Sequence, residues 1–334
     1  MTERVLPGQT ISESPIHSPD DSNNSSDTES LSELEESVDH LSFGHPLERM
    51  VPVEPLNDSD GAGRSSFYQL PSRSSSCSST SYFVDYEAVI DEYLSTYADS
   101  NYKDLVFVQS DSDCFSPACS LIIKRMSTDS QEAYVLAYLN SDEVRQDPWN
   151  PAPRVLYAAE RGDETIVCME RLFEFDQPPF QTVGNVIEFI RQTLEGLAFL
   201  HENRVILHSY GDLHGTMMDI GGMSPDNFDR TKYPVRYYRI NFSKAEQLEP
   251  GVSAHYSEFH KDVQDCGATL ERMLLNVPKA GPKLKSLVNA MKGGGFGGED
   301  SRKLFEALCK TISHDTYSME LPESSRNSSS TERT

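Results

Sequence analysis

Apolar residues recur along this chain with two periods, and their order predicts an α+β fold. Tyr86, Val89, Ile90, Tyr93, Leu94 and Tyr97 have the spacing of an amphipathic helix. Short apolar runs follow at 105–109, 120–125 and 165–169, each of strand length. A helical pattern over 132–139 lies between the second and third runs. From residue 187 onward the period is mainly helical. Ile187, Ile190, Leu194, Leu197 and Ala198 form one stripe, and Val263, Cys266, Leu270 and Leu274 form another. Segments 283–291 and 302–312 complete the set. Short strands followed by long helices predict a strand-rich part and a helical part. No repeat with a period of about 20–50 residues is present.

That periodicity is missing before residue 82. Residues 1–81 are rich in Ser, Asp, Glu, Asn and Pro, with Phe43 the one aromatic ahead of Phe67. Such a segment cannot bury enough apolar surface to offset its chain entropy. It is therefore predicted to be a disordered acidic tail. Residues 82–314 are predicted to be the folded domain, with 315–334 as a second tail. The charge follows the same division. Of the net −24, half falls in residues 1–60, which hold 14 acidic and 2 basic residues. Ser14-Pro15, Ser18-Pro19, and the serines Ser30 and Ser32 upstream of acids make the tail a candidate for phosphorylation.

The acidic balance argues against binding to nucleic acid or to an anionic membrane, because a phosphate backbone needs clustered Lys and Arg. No apolar run approaches the ~20 residues that span a bilayer. The first ten residues lack the basic and apolar regions of a secretory signal. Six cysteines with no C-x-x-C spacing suit a reducing compartment. The expectation is a soluble protein of the cytoplasm or nucleus. Cys114 and Cys119 do not form a zinc spacing. Asp111 and Asp113 lack the glycine and following carboxylate of a calcium loop.

One succession of elements carries candidate chemistry. A strand ending Leu121-Ile122-Ile123-Lys124 precedes a helix bearing Glu132. A strand then ends Cys168-Met169-Glu170-Arg171-Leu172, and a long helix closes with Phe199-Leu200-His201. Next come Val205-Ile206-Leu207-His208, Met217-Met218-Asp219, and Tyr237-Tyr238-Arg239-Ile240-Asn241-Phe242-Ser243. The last element is a helix expected to open at Asp262. This order resembles the eukaryotic protein-kinase layout over residues 100–312. It is most similar to a large fungal family of protein-kinase-like proteins. Leu139-Asn140-Ser141 through Asp147-Pro148-Trp149-Asn150 carries a further part of that likeness.

The resemblance implies a bilobal domain, with an N-lobe over about 100–169 and a C-lobe over about 173–314. It implies that Lys124 and Glu132 form the phosphate-binding ion pair, although a lysine at a strand end is also an ordinary surface residue. It places Met169 at the back of a nucleotide pocket, where it is equally an ordinary core residue, and Glu170 to Leu172 at the hinge. Asp262 would accept backbone N–H bonds from the catalytic loop and would also suit an N-cap.

Other groups that phosphoryl transfer needs are replaced. Residues 107–120 contain no glycine to cover phosphates. Counting back from Met217-Met218-Asp219, Tyr210 stands at the base position and Gly215 at the metal-binding Asn. Asn241 replaces the metal-binding Asp, and a neutral amide holds Mg²⁺ far more weakly than a carboxylate. ATP is then expected to bind weakly and without dependence on Mg²⁺.

The reading is a pseudokinase that works through a protein partner. An alternative register, Tyr210-Gly211-Asp212-Leu213-His214, makes Asp212 the base of an active atypical kinase, with Met217 where its Asn is expected. A plain α+β domain is the third reading. Arg230, Lys232, Arg236 and Arg239 are a candidate landing surface for the acidic tail.

Overall fold

An Asp85 carboxylate accepts the Ala88 amide at 3.2 Å and starts α1 (Tyr86–Tyr97), which buries Val89, Ile90 and Tyr93. The computed structural model describes residues 85–97, 106–108, 121–221, 223–248 and 256–322. All of them belong to the unit Ala62–Thr334. The tail over 1–81, the glycine-free stretch from 109 to 120, and Cys114, Cys119, Asp111 and Asp113 lie outside the described residues.

Four antiparallel strands follow α1. They are β1 (Val106–Val108), β2 (Leu121–Ser127), β3 (Val155–Arg161) and β4 (Glu164–Glu170), in the order β1-β2-β4-β3. Successive side chains of a strand point to opposite faces, and here both faces are covered. Leu121, Ile123, Ile166 and Cys168 pack against Val89, Ile90 and Tyr93 of α1. Ile122, Met126, Val167 and Met169 join the large core shared with the helices. Two buried faces explain why β2 and β4 read as continuous apolar runs rather than alternating ones. The pattern analysis missed β3, whose signal was the turn Gly162-Asp163, with Gly162 at φ 67°.

Between β2 and β3 run α2 (Gln131–Leu139) and the short α3 (Asp142–Arg145). Ser130 caps α2 by accepting the Ala133 amide at 3.2 Å. The segment after α3 is held through backbone oxygens, two of them within this half and one reaching the residue at the end of the later strand Arg236–Arg239. Asn150 Nδ2 donates to Leu139 O at 2.7 Å, Arg145 donates to Ala152 O at 2.6 Å, and the Arg239 amide donates to Pro151 O at 2.7 Å. Trp149 lies under the Arg302 guanidinium at 4.5 Å.

The chain passes to the second half at Arg171 and Leu172. There β5 (Phe173–Glu174), β7 (Thr216–Asp219) and β8 (Arg236–Arg239) form one small sheet, and β6 (Val205–Ile206) pairs β9 (Glu246–Gln247). The axis of the half is α4 (Val183–Glu202), capped reciprocally by Thr182 and Asn185. Around it lie α5 (Tyr256–Leu274), α6 (Ala280–Lys292), α7 (Gly298–Cys309) and α8 (His314–Tyr317). The fold class matches the expectation from sequence.

Two boundaries differ. The helix expected to open at Asp262 begins at Tyr256, so Asp262 lies inside α5 and is not its N-cap. Ordered structure also continues beyond the expected limit at 314. The Val183 amide donates to Met319 O and the Leu321 amide to Gln181 O, each at 2.9 Å, and Leu321 is buried. The candidate landing surface for the tail loses two of its four residues. Arg230 and Arg239 are buried, whereas Lys232 is exposed and pairs with Asp229 at 2.9 Å, and Arg236 is half-buried. Arg230 instead donates to Pro178 O and Phe175 O and stacks over Phe180, and burial pulls its ionisation below the usual arginine range.

Candidate functional site

Lys124 lies in β2 and Glu132 in the first turn of α2, and the strand–turn–helix connection brings the two side chains together. The Lys124 ammonium is 2.5 Å from Glu132 Oε1, with the residues only 8% and 7% exposed. Both partners also bind the backbone that follows β8. Lys124 Nζ donates to Ile240 O at 3.1 Å, and Glu132 Oε1 accepts the Phe242 amide at 2.9 Å. The ion pair is therefore a buckle between the strand-rich half and the Asn241 segment. Phe242 itself is fully buried.

Asn241 is turned back on its own loop, with Oδ1 accepting the Ser243 amide at 3.1 Å and the Ser243 hydroxyl at 2.7 Å. Asp212 is exposed and caps the short turn Leu213–Gly215 by accepting the His214 amide at 2.9 Å. Leu207, Ser209, Asp212, Gly215, Arg239 and Asn241 line one hollow of about 160 Å³, open solvent included. A Cβ at 215 would meet Asn241 Cβ at 3.2 Å, so a side chain there would require Asn241 to give by a few tenths of an ångström.

Tyr210 points away from this hollow. It is 1% exposed, and its hydroxyl donates to Thr193 O of α4 at 2.5 Å. Burial pushes its phenol well above the usual tyrosine range. Arg239 stacks on the ring at 4.4 Å and donates to Tyr210 O at 2.9 Å and Asp212 O at 2.7 Å. Sequence reasoning assigned Arg239 to a surface; its signal as a loop clamp is non-local. His208 precedes these residues in a left-handed conformation, φ 54°, with Nε2 3.6 Å from Glu246 Oε2.

Met169 is 1% exposed and lies across from Ile122 in the strand register, so it fills the core. Glu170 is exposed and Leu172 is buried, on the crossing between the two sheets. Asp262 Oδ2 accepts the Leu207 amide at 2.7 Å across 55 residues. The fold is protein-kinase-like.

No family model matches this sequence, and no curated protein matches it. A solved structure described as a divergent kinase lacking the glycine-rich loop, which regulates membrane ultrastructure of the Toxoplasma parasitophorous vacuole, is similar to it. The TM-score is 0.47 and the identity 15%, over 72% of this chain and 89% of that one. The kinase-like layout of this chain stands on its own element order and on the Lys124–Glu132 and Asp262–Leu207 contacts.

Chemically, the hollow offers one carboxylate, Asp212. A hard divalent cation takes about six oxygen ligands and favours carboxylates, and the Asn241 oxygen already accepts two hydrogen bonds. Among the described residues no cluster of His, Cys, Asp and Glu has a metal-binding arrangement. The described residues of the hollow thus supply one carboxylate and one amide oxygen that is already engaged.

The Asp262 contact gives a direct test of the layout. Asp262→Ala leaves the buried Leu207 amide without an acceptor, which costs ~1–3 kcal/mol. For a domain of this size that lowers Tm by roughly 2–12 °C. Differential scanning fluorimetry measures it, and an unchanged Tm contradicts the contact.

Proposed function

We propose that this chain is a kinase-like domain that does not transfer phosphate and acts as an interaction or regulatory module for a protein partner. One observation carries the reading. The residue at the base position, Tyr210, is committed to the core, with its hydroxyl on Thr193 O and its ring under Arg239. A buried phenol hydrogen-bonded to a helix carbonyl cannot take a proton from a substrate hydroxyl, which needs a base within ~3 Å. The neutral amide of Asn241, turned back on its own loop, supports the same reading. In this proposal the protein works inside the cell, in cytoplasm or nucleus, and is a degenerate member of the fungal kinase-like family. Any ATP binding is weak and independent of Mg²⁺.

The second reading, an atypical kinase using Lys124 and Asp212, is favoured by the shared hollow of Asp212 and Asn241. One contact opposes it, because Asp212 caps its own turn by accepting the His214 amide.

Thermal-shift titration with ATP, with and without Mg²⁺, separates the two. A ligand at a hundred times its Kd stabilises by ~2.7 kcal/mol, or roughly 5–11 °C here. The expected result is a shift of at most a degree or two that Mg²⁺ does not change. A full shift that requires Mg²⁺ overturns the proposal and favours the kinase.

A further inference from the structure

Roughly one residue in six of this chain is acidic, with 53 Asp and Glu in 334. Residues 272–298 break that rule completely, holding five basic residues and no acidic one. They run from the last turn of α5 through α6 to the start of α7. The fold turns this stretch into a surface. Leu284, Leu287, Val288 and Met291 bury one side of α6. The opposite side shows Pro282, Ser286 and Asn289 to solvent, a neutral strip. At 3.6 residues per turn, Lys279 and Lys283 border one edge of the strip and Lys285 and Lys292 the other.

The four lysines are not equivalent. Lys292 pairs with Glu271 at 2.6 Å, and Lys283 donates to Thr311 O. Those contacts hold one lysine on each edge in place. Lys279 and Lys285 are exposed and make no ion pair among the described residues, so each edge also presents a free ammonium. Two further features sit at the N-terminal end of the strip. Leu275 is 76% exposed, against a fully packed core beneath. Lys279 has φ 58° and ψ −38°, and the Ala280 amide reaches back to Pro278 O at 2.6 Å. This is a tight turn held in a region that L-residues rarely adopt. It projects Lys279 beside the helix at a position where glycine would relieve the strain.

We infer that the exposed face of α6 is a docking surface for an acidic, extended peptide segment of a partner protein. The occupant follows from charge and width. Free ammonium groups on both edges of a neutral strip match consecutive carboxylates of an extended chain, whose successive side chains point to opposite sides. The helix is ~20 Å long, a length that about six extended residues cover. A duplex or a bilayer is far wider than one helix. Either would bring phosphates within a screening length, ~8 Å at physiological salt, of the acidic remainder of a −24 protein. A narrow peptide avoids that repulsion. Leu275 offers an apolar contact at the end of the run. The inference rests on the interaction-module reading and names the surface and the partner's chemistry.

The test uses the full chain and a fluorescein-labelled peptide of about eight consecutive Glu residues, whose carboxylates fall on both sides of the extended chain. Fluorescence anisotropy is read at low and at physiological salt. The peptide is expected to bind, and its Gln-for-Glu counterpart to bind at least tenfold more weakly. Lys279→Glu combined with Lys285→Glu should weaken binding at least tenfold, with a smaller loss for the paired Gln substitutions and a steeper salt dependence in the wild type. Neither lysine has a folded-state partner, so the Tm should not change; if charge reversal lowers it, the Gln pair carries the test. Equal binding by wild type and variants, or no binding by the wild type, overturns the inference. Tighter binding of anionic vesicles or duplex DNA than of the peptide overturns the assignment of the occupant. ATP turnover measured on the same protein reads the non-catalytic proposal separately, so the failure of one is distinguishable from the failure of the other.

Discussion

Lys124→Met lowers the melting temperature of this protein by roughly 6–20 °C. The expectation comes from what the ammonium touches. Its partner Glu132 is 7% exposed and receives, apart from Lys124, one backbone donor, the Phe242 amide. Removing the lysine leaves a carboxylate buried with a single hydrogen bond. Breaking one side of a buried pair costs ~3–5 kcal/mol, because the remaining charge loses its compensation. For a domain of about 250 residues each kcal/mol is worth roughly 2–4 °C. The double substitution Lys124→Met with Glu132→Leu removes both charges and should cost less than the sum of the single losses, as coupled neighbours do. In a nucleotide-binding role the lysine serves the ligand, and its loss lowers affinity with little effect on the apoprotein. An apoprotein Tm unchanged by Lys124→Met would therefore contradict the buckle described here.

The parts of this site that were legible in the sequence are those fixed by local pattern. Lys124 and Glu132 are eight residues apart across one strand, one turn and one helix, and each element has its own signal. The apolar run 121–123 marks a strand buried on both faces, and Ser130 marks the start of the helix. Asp262 was correctly placed against the catalytic loop by element order, although its helix begins six residues earlier. The start was legible too, because Tyr256 and Phe259 continue the stripe of Val263 and Cys266 at helical spacing, but it was not read. Strand β3 was missed because its side chains are mostly half-buried and do not alternate.

Direction is what a one-dimensional reading could not supply. Tyr210 replaces an expected Asp, but whether its hydroxyl faces the cleft or the core depends on the Thr193 carbonyl it reaches, 17 residues away. Arg239 looks like any surface arginine until the carbonyls of Tyr210 and Asp212 are seen around it. Arg230 is similar, because its cage is built from residues 52 and 55 positions away. Burial of a guanidinium is decided by such long-range acceptors and leaves no local trace in composition.

The same geometry predicts that restoring the expected residue at 210 unfolds the protein rather than reviving it. Tyr210→Asp removes an aromatic side chain from a fully packed position, and large-to-small changes of aromatic residues cost ~3–5 kcal/mol. It also sets a carboxylate facing Thr193 O, an acceptor that has nothing to donate. A buried charge without hydrogen bonds is disfavoured and rises in pKa. Arg239, 4.4 Å above the present ring, can offset part of that charge. It does so only by leaving the carbonyls of Tyr210 and Asp212 that it now serves. The net expectation is a Tm at least 10 °C below wild type, on the order of ~4 kcal/mol or more, with no gain in ATP turnover. Tyr210→Phe is the control. It keeps the ring and loses one buried hydrogen bond, costing ~1–3 kcal/mol. The order wild type, then Phe, then Asp in melting temperature identifies Tyr210 as a core pillar. An Asp variant that melts with the wild type and acquires Mg²⁺-dependent ATP turnover would show instead that position 210 faces the cleft, and with it would fall the non-catalytic reading of the domain.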